Sequence, residues 1–265
     1  MSDEMITAAT SRATLVRADN PGAMTLDGTN TWVLREPGSN GVVVLDPGPL
    51  DETHLQRVLE VAQRDNGRVE LVLYSHWHPD HTESIDRFFE LTGAPARALD
   101  EKWCRDAMPL VDGETLEIGG LTLRVVATPG HTMDSICLLL PGEGSLLSAD
   151  TILGRGTTVV AHPDGALGPY LDSLRAIRSL TVSGNMSKIL PGHGPVIDEP
   201  LRVVDAYLAH RAERLQQVRA AVAAGDTTPM QVVERVYADV DRSLWFAAEM
   251  SVRAQLDYLS GAHAE

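Results

Sequence analysis

The chain has 265 residues and a formal charge of −15, from 22 Lys+Arg against 37 Asp+Glu. That length supports a large core, as one domain or as a domain with an appendage. The acidic balance speaks against broad nucleic-acid binding. No apolar run reaches membrane-spanning length, which excludes a transmembrane helix and a membrane partner. The opening "MSDEMITAATSRATL" has no basic start and no apolar h-region, and only Cys104 and Cys137 occur, so a reducing cytoplasm is expected.

In chain order, "TNTWVLRE" and "GVVVLD" are predicted strands, rich in Val and Leu and closed by polar or turn residues. "DETHLQRVLEVAQR" is a predicted helix, with Leu55, Val58, Leu59 and Ala62 on one face and Asp51 near its N-terminus. The strand "ELVLYS" runs into "HWHPDHTES", which opens another helix. "LTLRVVAT", "SICLLLP" and "GSLLSAD" are predicted strands, followed by the helix "GPYLDSLRAIRSL" and the strand "SKILPGH". Beyond Pro200 the texture is helical: "LRVVDAYLAHRAERLQQVRAAVAAG", "TPMQVVERVYADV" and "RSLWFAAEMSVRAQLDYLSG". Two units are expected, an α/β unit over residues 1–199 and a small helical unit over 200–265.

Five of the nine histidines follow strand-like runs: His76, His78 and His81 after "LVLYS", His131 after "LRVVATPG", His193 after "SKILPG". Asp150 ends "GSLLSAD" in the same way, and Asp80 lies between His78 and His81. A lone histidine at a strand end is ordinarily a satisfied polar residue. His-x-His-x-Asp-His joined by "TPGH", "LSAD" and "LPGH", each after a strand, leaves chance little room. Imidazole and carboxylate are good ligands for Zn²⁺, and His76, His78, Asp80, His81, His131, Asp150 and His193 suffice for two ions if one carboxylate bridges. A closed structural zinc needs only about four protein ligands, so a larger set points to open positions and chemistry rather than a merely structural metal.

This ordered set resembles the metallo-β-lactamase superfamily over most of residues 20–200, including "VVLDPG". The resemblance implies a four-layer αβ/βα sandwich with the metals at one edge of its sheets. It assigns His76, His78 and His131 to one zinc, Asp80, His81 and His193 to the other, and Asp150 to the bridge. Metal-activated hydroxide would attack the substrate, with Asp80 or a metal-bound water handling the leaving-group proton. The nitrogen ligand His78 favours Zn²⁺ over a di-iron redox site. Neither an export signal nor a cysteine ligand is present, which argues against antibiotic hydrolysis as a role. "NPGAMTLDGTNTWVL" and the helical tail resemble the beta-lactamase-like protein 2 subfamily, which adds a small winged-helix-like C-terminal domain. That subfamily holds an endoribonuclease of single-stranded RNA and thioesterases that release polyketides, so membership leaves the substrate open.

Asp46 is expected to accept a proton from a ligand imidazole, and Thr132 with Ser135 to fix the His131 loop. Thr29 and Asn30 are candidates to border the substrate pocket, with His210 and Arg211 reaching it from the tail and Trp77 either packing under the site or lining its mouth, while His54 and His162 are assigned to the surface. The tail beyond residue 200 carries 7 Arg against 9 Asp+Glu, with Arg202, Arg211, Arg214 and Arg219 on its first helix as the best available phosphate track. A small ester, thioester or other acyl substrate is the preferred reading, and RNA cleavage the second. A binding protein with a structural metal ranks third, and a homodimer is left open.

Overall fold

A computed structural model describes residues 5–184 and 186–261. The first half comprises β1 (Ile6–Ala8), β2 (Ala13–Arg17), β3 (Asn30–Leu34), β4 (Gly41–Leu45), α1 (Glu52–Ala62), β5 (Arg68–Leu73), α2 (Pro79–Thr82), α3 (Ile85–Thr92) and β6 (Ala96–Arg97). The second comprises β7 (Thr115–Ile118), β8 (Leu121–Ala127), β9 (Ile136–Leu140), β10 (Ser145–Ala149), α4 (Leu167–Ser183) and β11 (Lys188–Pro191). Three helices follow: α5 (Pro200–Ala223), α6 (Pro229–Val236) and α7 (Trp245–Ser260).

Among the described residues the strands form two sheets, ordered β1-β2-β3-β4-β5-β6 and β11-β10-β9-β8-β7. Pairing is parallel for β4 with β5, β5 with β6 and β10 with β11, and antiparallel elsewhere. Side chains alternate across each strand, so the central strands each serve two cores. Trp32, Leu34, Val43, Leu45, Leu71 and Leu73 meet Leu121, Leu123, Val125, Ile136, Leu138 and Leu140 between the sheets. Val33, Val42, Val44 and Val72 face outward onto Leu55, Val58, Ile85 and Phe88 of α1 and α3. On the other side Cys137, Leu146 and Ile189 pack against Tyr170, Leu174 and Ile177 of α4 and Val204 and Tyr207 of α5. The order helix, sheet, sheet, helix is the expected four-layer sandwich.

Helix α5 spans 24 residues and serves two cores. Its first half joins the sandwich through Val204 and Tyr207, and the Tyr207 hydroxyl accepts the Leu153 amide at 2.9 Å. Its second half gives Val218 and Ala221 to a separate cluster with Val232 and Val233 of α6 and Ala248 and Val252 of α7. Helix α6 starts on a capping box between Thr228 and Gln231, the local reason that it begins where it does. No helix among the described residues is long and apolar enough to cross a membrane.

Candidate metal centre

The strand ends deliver the predicted groups to one edge of the two sheets. β5 leads to His76, and His78 caps the short helix α2, whose Pro79 presets the backbone and whose body carries Asp80 and His81. β8, β10 and β11 lead to His131, Asp150 and His193. His76 Nε2 and His131 Nε2 each lie 3.0 Å from His78 Nδ1. Asp80 Oδ2 lies 3.3 Å from His81 Nε2 and 3.2 Å from His193 Nε2. Asp150 stands between the groups, one oxygen 3.5 Å from His81 Nε2 and the other 3.3 Å from His193 Nε2 and 3.7 Å from His131 Nε2. Two sets could therefore each hold an ion, His76/His78/His131/Asp150 and Asp80/His81/His193, with donor atoms within 4.8 Å of one another in each set.

These donors fit divalent cations. His81 Nε2 and Asp150 Oδ1 are buried in the cluster without a hydrogen-bond partner, a costly state for polar atoms unless a cation completes them. The outer ring nitrogens of His76, His81, His131 and His193 are each engaged, which orients the rings. His131 Nδ1 donates to the Val159 carbonyl at 2.8 Å and His193 Nδ1 to the Gly28 carbonyl at 3.2 Å, leaving each Nε2 to face the centre. Asp46 braces the other side as expected. Its carboxylate accepts the Ser75 amide at 2.8 Å, the Ser75 hydroxyl at 2.6 Å and His81 Nδ1 at 2.9 Å. Because the Ser75 proton is committed to Asp46, its oxygen accepts from His76 Nδ1 at 2.9 Å.

Electrostatics divide the centre. Burial drives His76 well below the usual imidazole range and brings His78 down to about 4, and burial lowers His131 as well, so these three stay neutral and keep lone pairs for a cation. Burial opposes charge on His81 and His193 too, but it is outweighed. Asp80, Asp46 and Asp150 raise His81 to about 9, and Asp150 and Asp80 raise His193 to about 11. Burial would raise Asp80 and Asp150, yet the neighbouring histidinium charges hold both carboxyls below their ordinary range.

Several expectations need correction. Asn30 does not border a pocket: it is buried, and its Nδ2 clamps the His193 turn by donating to the Pro191 and Gly194 carbonyls at 3.0 and 2.9 Å. Its neighbour Thr29 reaches the site instead, donating to Asp80 Oδ2 at 2.9 Å. Thr132 needs no such correction: its hydroxyl closes the His131 loop onto Asp134 and Ser135, each at 2.7 Å. Trp77 packs edge-on against His78, donates to Asp164 at 2.8 Å and lines a separate shallow recess with Leu99 and Met133. His54 is fully buried rather than on the surface, donating to Thr31 Oγ1 at 2.9 Å, whereas His162 is partly exposed beside Asp257. The four arginines of α5 form no stripe. Arg202 and Arg211 are about two and a half turns apart and so point opposite ways; Arg202 pairs with Glu199 in solvent, while Arg211 is buried.

His210 and Arg211 do reach a cavity. A cleft of about 330 Å³ opens from His131 and Asp150 along the 153–159 segment to α5, Tyr237 and the start of α7. Thr158 joins the two ends: its hydroxyl donates to the Asp150 carbonyl at 2.6 Å, and its own carbonyl accepts Arg211 Nη2.

Comparison with known proteins agrees with this geometry. Residues 24–193 match the family described as the metallo-beta-lactamase superfamily, and residues 228–261 match the beta-lactamase associated winged helix domain. A beta-lactamase-like protein 2 homolog of Caenorhabditis elegans is 34% identical over 254 residues, covering 93% of this chain and 83% of that protein. Its Drosophila melanogaster counterpart is 32% identical over 272 residues, covering 96% and 89%. An Aspergillus fumigatus relative named atrochrysone carboxyl ACP thioesterase is 35% identical over 217 residues, covering 80% of this chain and 65% of that protein. Among solved structures, a metallo-beta-lactamase family protein of Thermus thermophilus superposes with a TM-score of 0.78 at 22% identity, over 97% of this chain and 96% of that one. A beta-lactamase domain protein of Burkholderia ambifaria gives 0.79 at 22% identity, over 97% and 88%. Fold, ligand-type clusters and relatives agree: the chain belongs to the metallo-beta-lactamase superfamily, among the members that carry the associated winged helix domain, and it is a metal-dependent hydrolase.

Proposed function

We propose that the protein is a dinuclear zinc hydrolase of a small ester, thioester or related acyl substrate. One observation carries this reading: Asp150, which stands between the two donor sets, opens with His131 onto a cleft whose far wall is apolar, built from Leu153, Val240, Leu244, Ala247 and Ala248. A cleft of about 330 Å³ is sized for a small acyl group, at the low end of ligand pockets. The relative named as an ACP thioesterase supports the same class of bond. Imidazole-rich sets suit Zn²⁺, and when bound it supplies Lewis acidity and brings water toward a pKa of about 7.

The chain's own groups prepare the rest. Asp46 locks one histidine of each set, His81 directly and His76 through Ser75. Thr29 holds the Asp80 carboxylate, whose side chain keeps about a quarter of its surface exposed, and in this reading Asp80 carries a proton to the leaving group. The apolar wall excludes water from the acyl side. RNA has weaker support, because the arginines of α5 are dispersed and the stacking face of Tyr237 is covered by Arg214 at 4.8 Å.

Elemental analysis should find zinc in protein purified without chelator. A panel of p-nitrophenyl esters, acyl-CoA thioesters, bis-p-nitrophenyl phosphate and single-stranded RNA should show turnover of the acyl compounds. Asp150→Ala should reduce that turnover by more than the roughly 10–100-fold typical for loss of a merely supporting group. Full activity in metal-free protein would overturn the mechanism, and RNA cleavage without acyl turnover would overturn the substrate class.

A further inference from the structure

The wall of the cleft contributed by α5 is polar and positively charged, although the molecule as a whole is strongly acidic. Arg211 is 8% exposed, and among the described residues no carboxylate lies within ion-pair distance of it. Its guanidinium lies 5.0 Å over the Tyr170 ring and gives Nη2 to the Thr158 carbonyl. Its Nε–H is buried without a partner, and so is His210 Nδ1 one residue earlier. Arg214, one turn further on, also lines the cleft; it bonds to Gln217 and to the Val236 carbonyl, at 2.9 and 3.1 Å, and neither partner is a carboxylate. Arg155, at the other side, is already neutralised by Asp27.

A buried guanidinium without a counter-charge is expensive, and an unsatisfied buried donor adds to the cost. Such a state is sustained where a ligand supplies the missing anion. We infer that His210, Arg211 and Arg214 form an anion recess, which seats a carboxylate or phosphate carried by the acyl part of the substrate. The inference rests on the acyl-hydrolase reading of this cleft and adds a substrate class to it: an amphipathic acyl compound with an anionic group remote from the scissile carbonyl. The carbonyl lies at the His131–Asp150 end, the apolar body against Leu244, Ala247 and Ala248, and the anion against α5. The planar guanidinium fork suits either head group, because both present paired oxygens.

The test compares p-nitrophenyl hexanoate with the mono-p-nitrophenyl ester of adipic acid, and with a matched ester ending in phosphate, on zinc-loaded protein. Wild type should prefer an anionic ester by about 10- to 100-fold in kcat/KM, the range for a hydrogen bond to a charged group. Arg211→Gln and Arg214→Met should each remove most of that preference, chiefly through KM. Arg214→Met is the cleaner variant, since Arg211 also touches the segment that holds Asp150; thermal unfolding identifies a variant that fails to fold. Calorimetric titration with hexanoate, hexyl phosphate and neutral hexanamide provides a readout independent of turnover. The better-bound anion identifies the head group, and its affinity should fall about 10-fold in Arg214→Met. Equal turnover of neutral and anionic esters by wild type would overturn the recess, as would a preference that survives both substitutions. If no ester is hydrolysed, the acyl reading fails on its own. The titration then decides the recess: weaker anion binding in Arg214→Met supports it, and unchanged binding overturns it.

Discussion

Asp46 links the two halves of the metal centre, and it does so from a left-handed backbone at φ 51°, a conformation that Asp and Asn tolerate better than other side-chain-bearing residues. Asp46→Asn keeps that backbone and the side-chain shape but loses the charge that orients Ser75 and His81. Zinc affinity, measured by competition with a chromophoric chelator, should fall roughly 10–100-fold while the fold persists. His54 offers a separate test through pH. Burial holds its imidazole at about 4 against an ordinary 6.5, so the unfolded chain takes up a proton that the native chain refuses. Its contribution is therefore complete above pH 6.5 and lost as pH falls toward 4, an effect of about 3 kcal/mol. In urea titrations between pH 4 and 7, His54→Gln should flatten that loss. The ligand-type residues were legible because His-x-His-x-Asp-His and the later strand-end groups carry their chemistry in residue type. The carbonyls of Val159 and Gly28 were not, since every residue has one, and His54 was misassigned although it shares a helix face with Val58.

The turns that carry the ligands depend on two glycines. Gly130 has φ 134°, and a Cβ there would sit 2.3 Å from the backbone of Tyr170, against which the His131 loop is pressed. Gly130→Ala should cost at least about 3 kcal/mol in urea denaturation, because a strained backbone and a clash with another backbone act together. Gly192 differs in its nearest neighbour: a Cβ there would meet Asp150 Oδ1 at 2.5 Å, ahead of the Ala149 backbone at 3.0 Å and His81 Cε1 at 3.1 Å. Gly192→Ala should spare stability relative to Gly130→Ala but lower bound zinc, as read by elemental analysis after dialysis. The long apolar strands were readable from their composition and boundaries. Strands β1, β6 and β7 were not, being only three, two and four residues long, and β2 was hidden in the mixed polar stretch that opens the chain. In α5 the arginines are close in sequence, but helical rotation separates them, which a count of charges does not register.

At the scale of the molecule, a charge of −15 surrounds a cleft whose inner wall is cationic. A long polyanion meets the whole field, whereas a small anion that enters the cleft meets the arginines at short range, inside the Debye length of about 10 Å at 0.1 M salt. A 20-nucleotide single strand should therefore bind more weakly than about 10⁻⁴ M at physiological salt in a fluorescence anisotropy titration, below even the usual non-specific range. Micromolar binding would show that the acidic surface conceals a phosphate path.

The chain of bonds from Arg211 to Thr158 to Asp150, with Val159 holding His131 alongside, has a consequence for how such a protein can diversify. The residue that shapes one end of the cleft also tensions the segment that steadies the catalyst. Selectivity and metal retention are then inherited together. A descendant that exchanged Arg211 for a different appetite would have to repair residues 157–160 in the same lineage, whereas changes at Leu244 or Ala247 leave that segment alone. Diversification should accordingly proceed from the α7 side of the cleft, with the α5 side altered late and only in company.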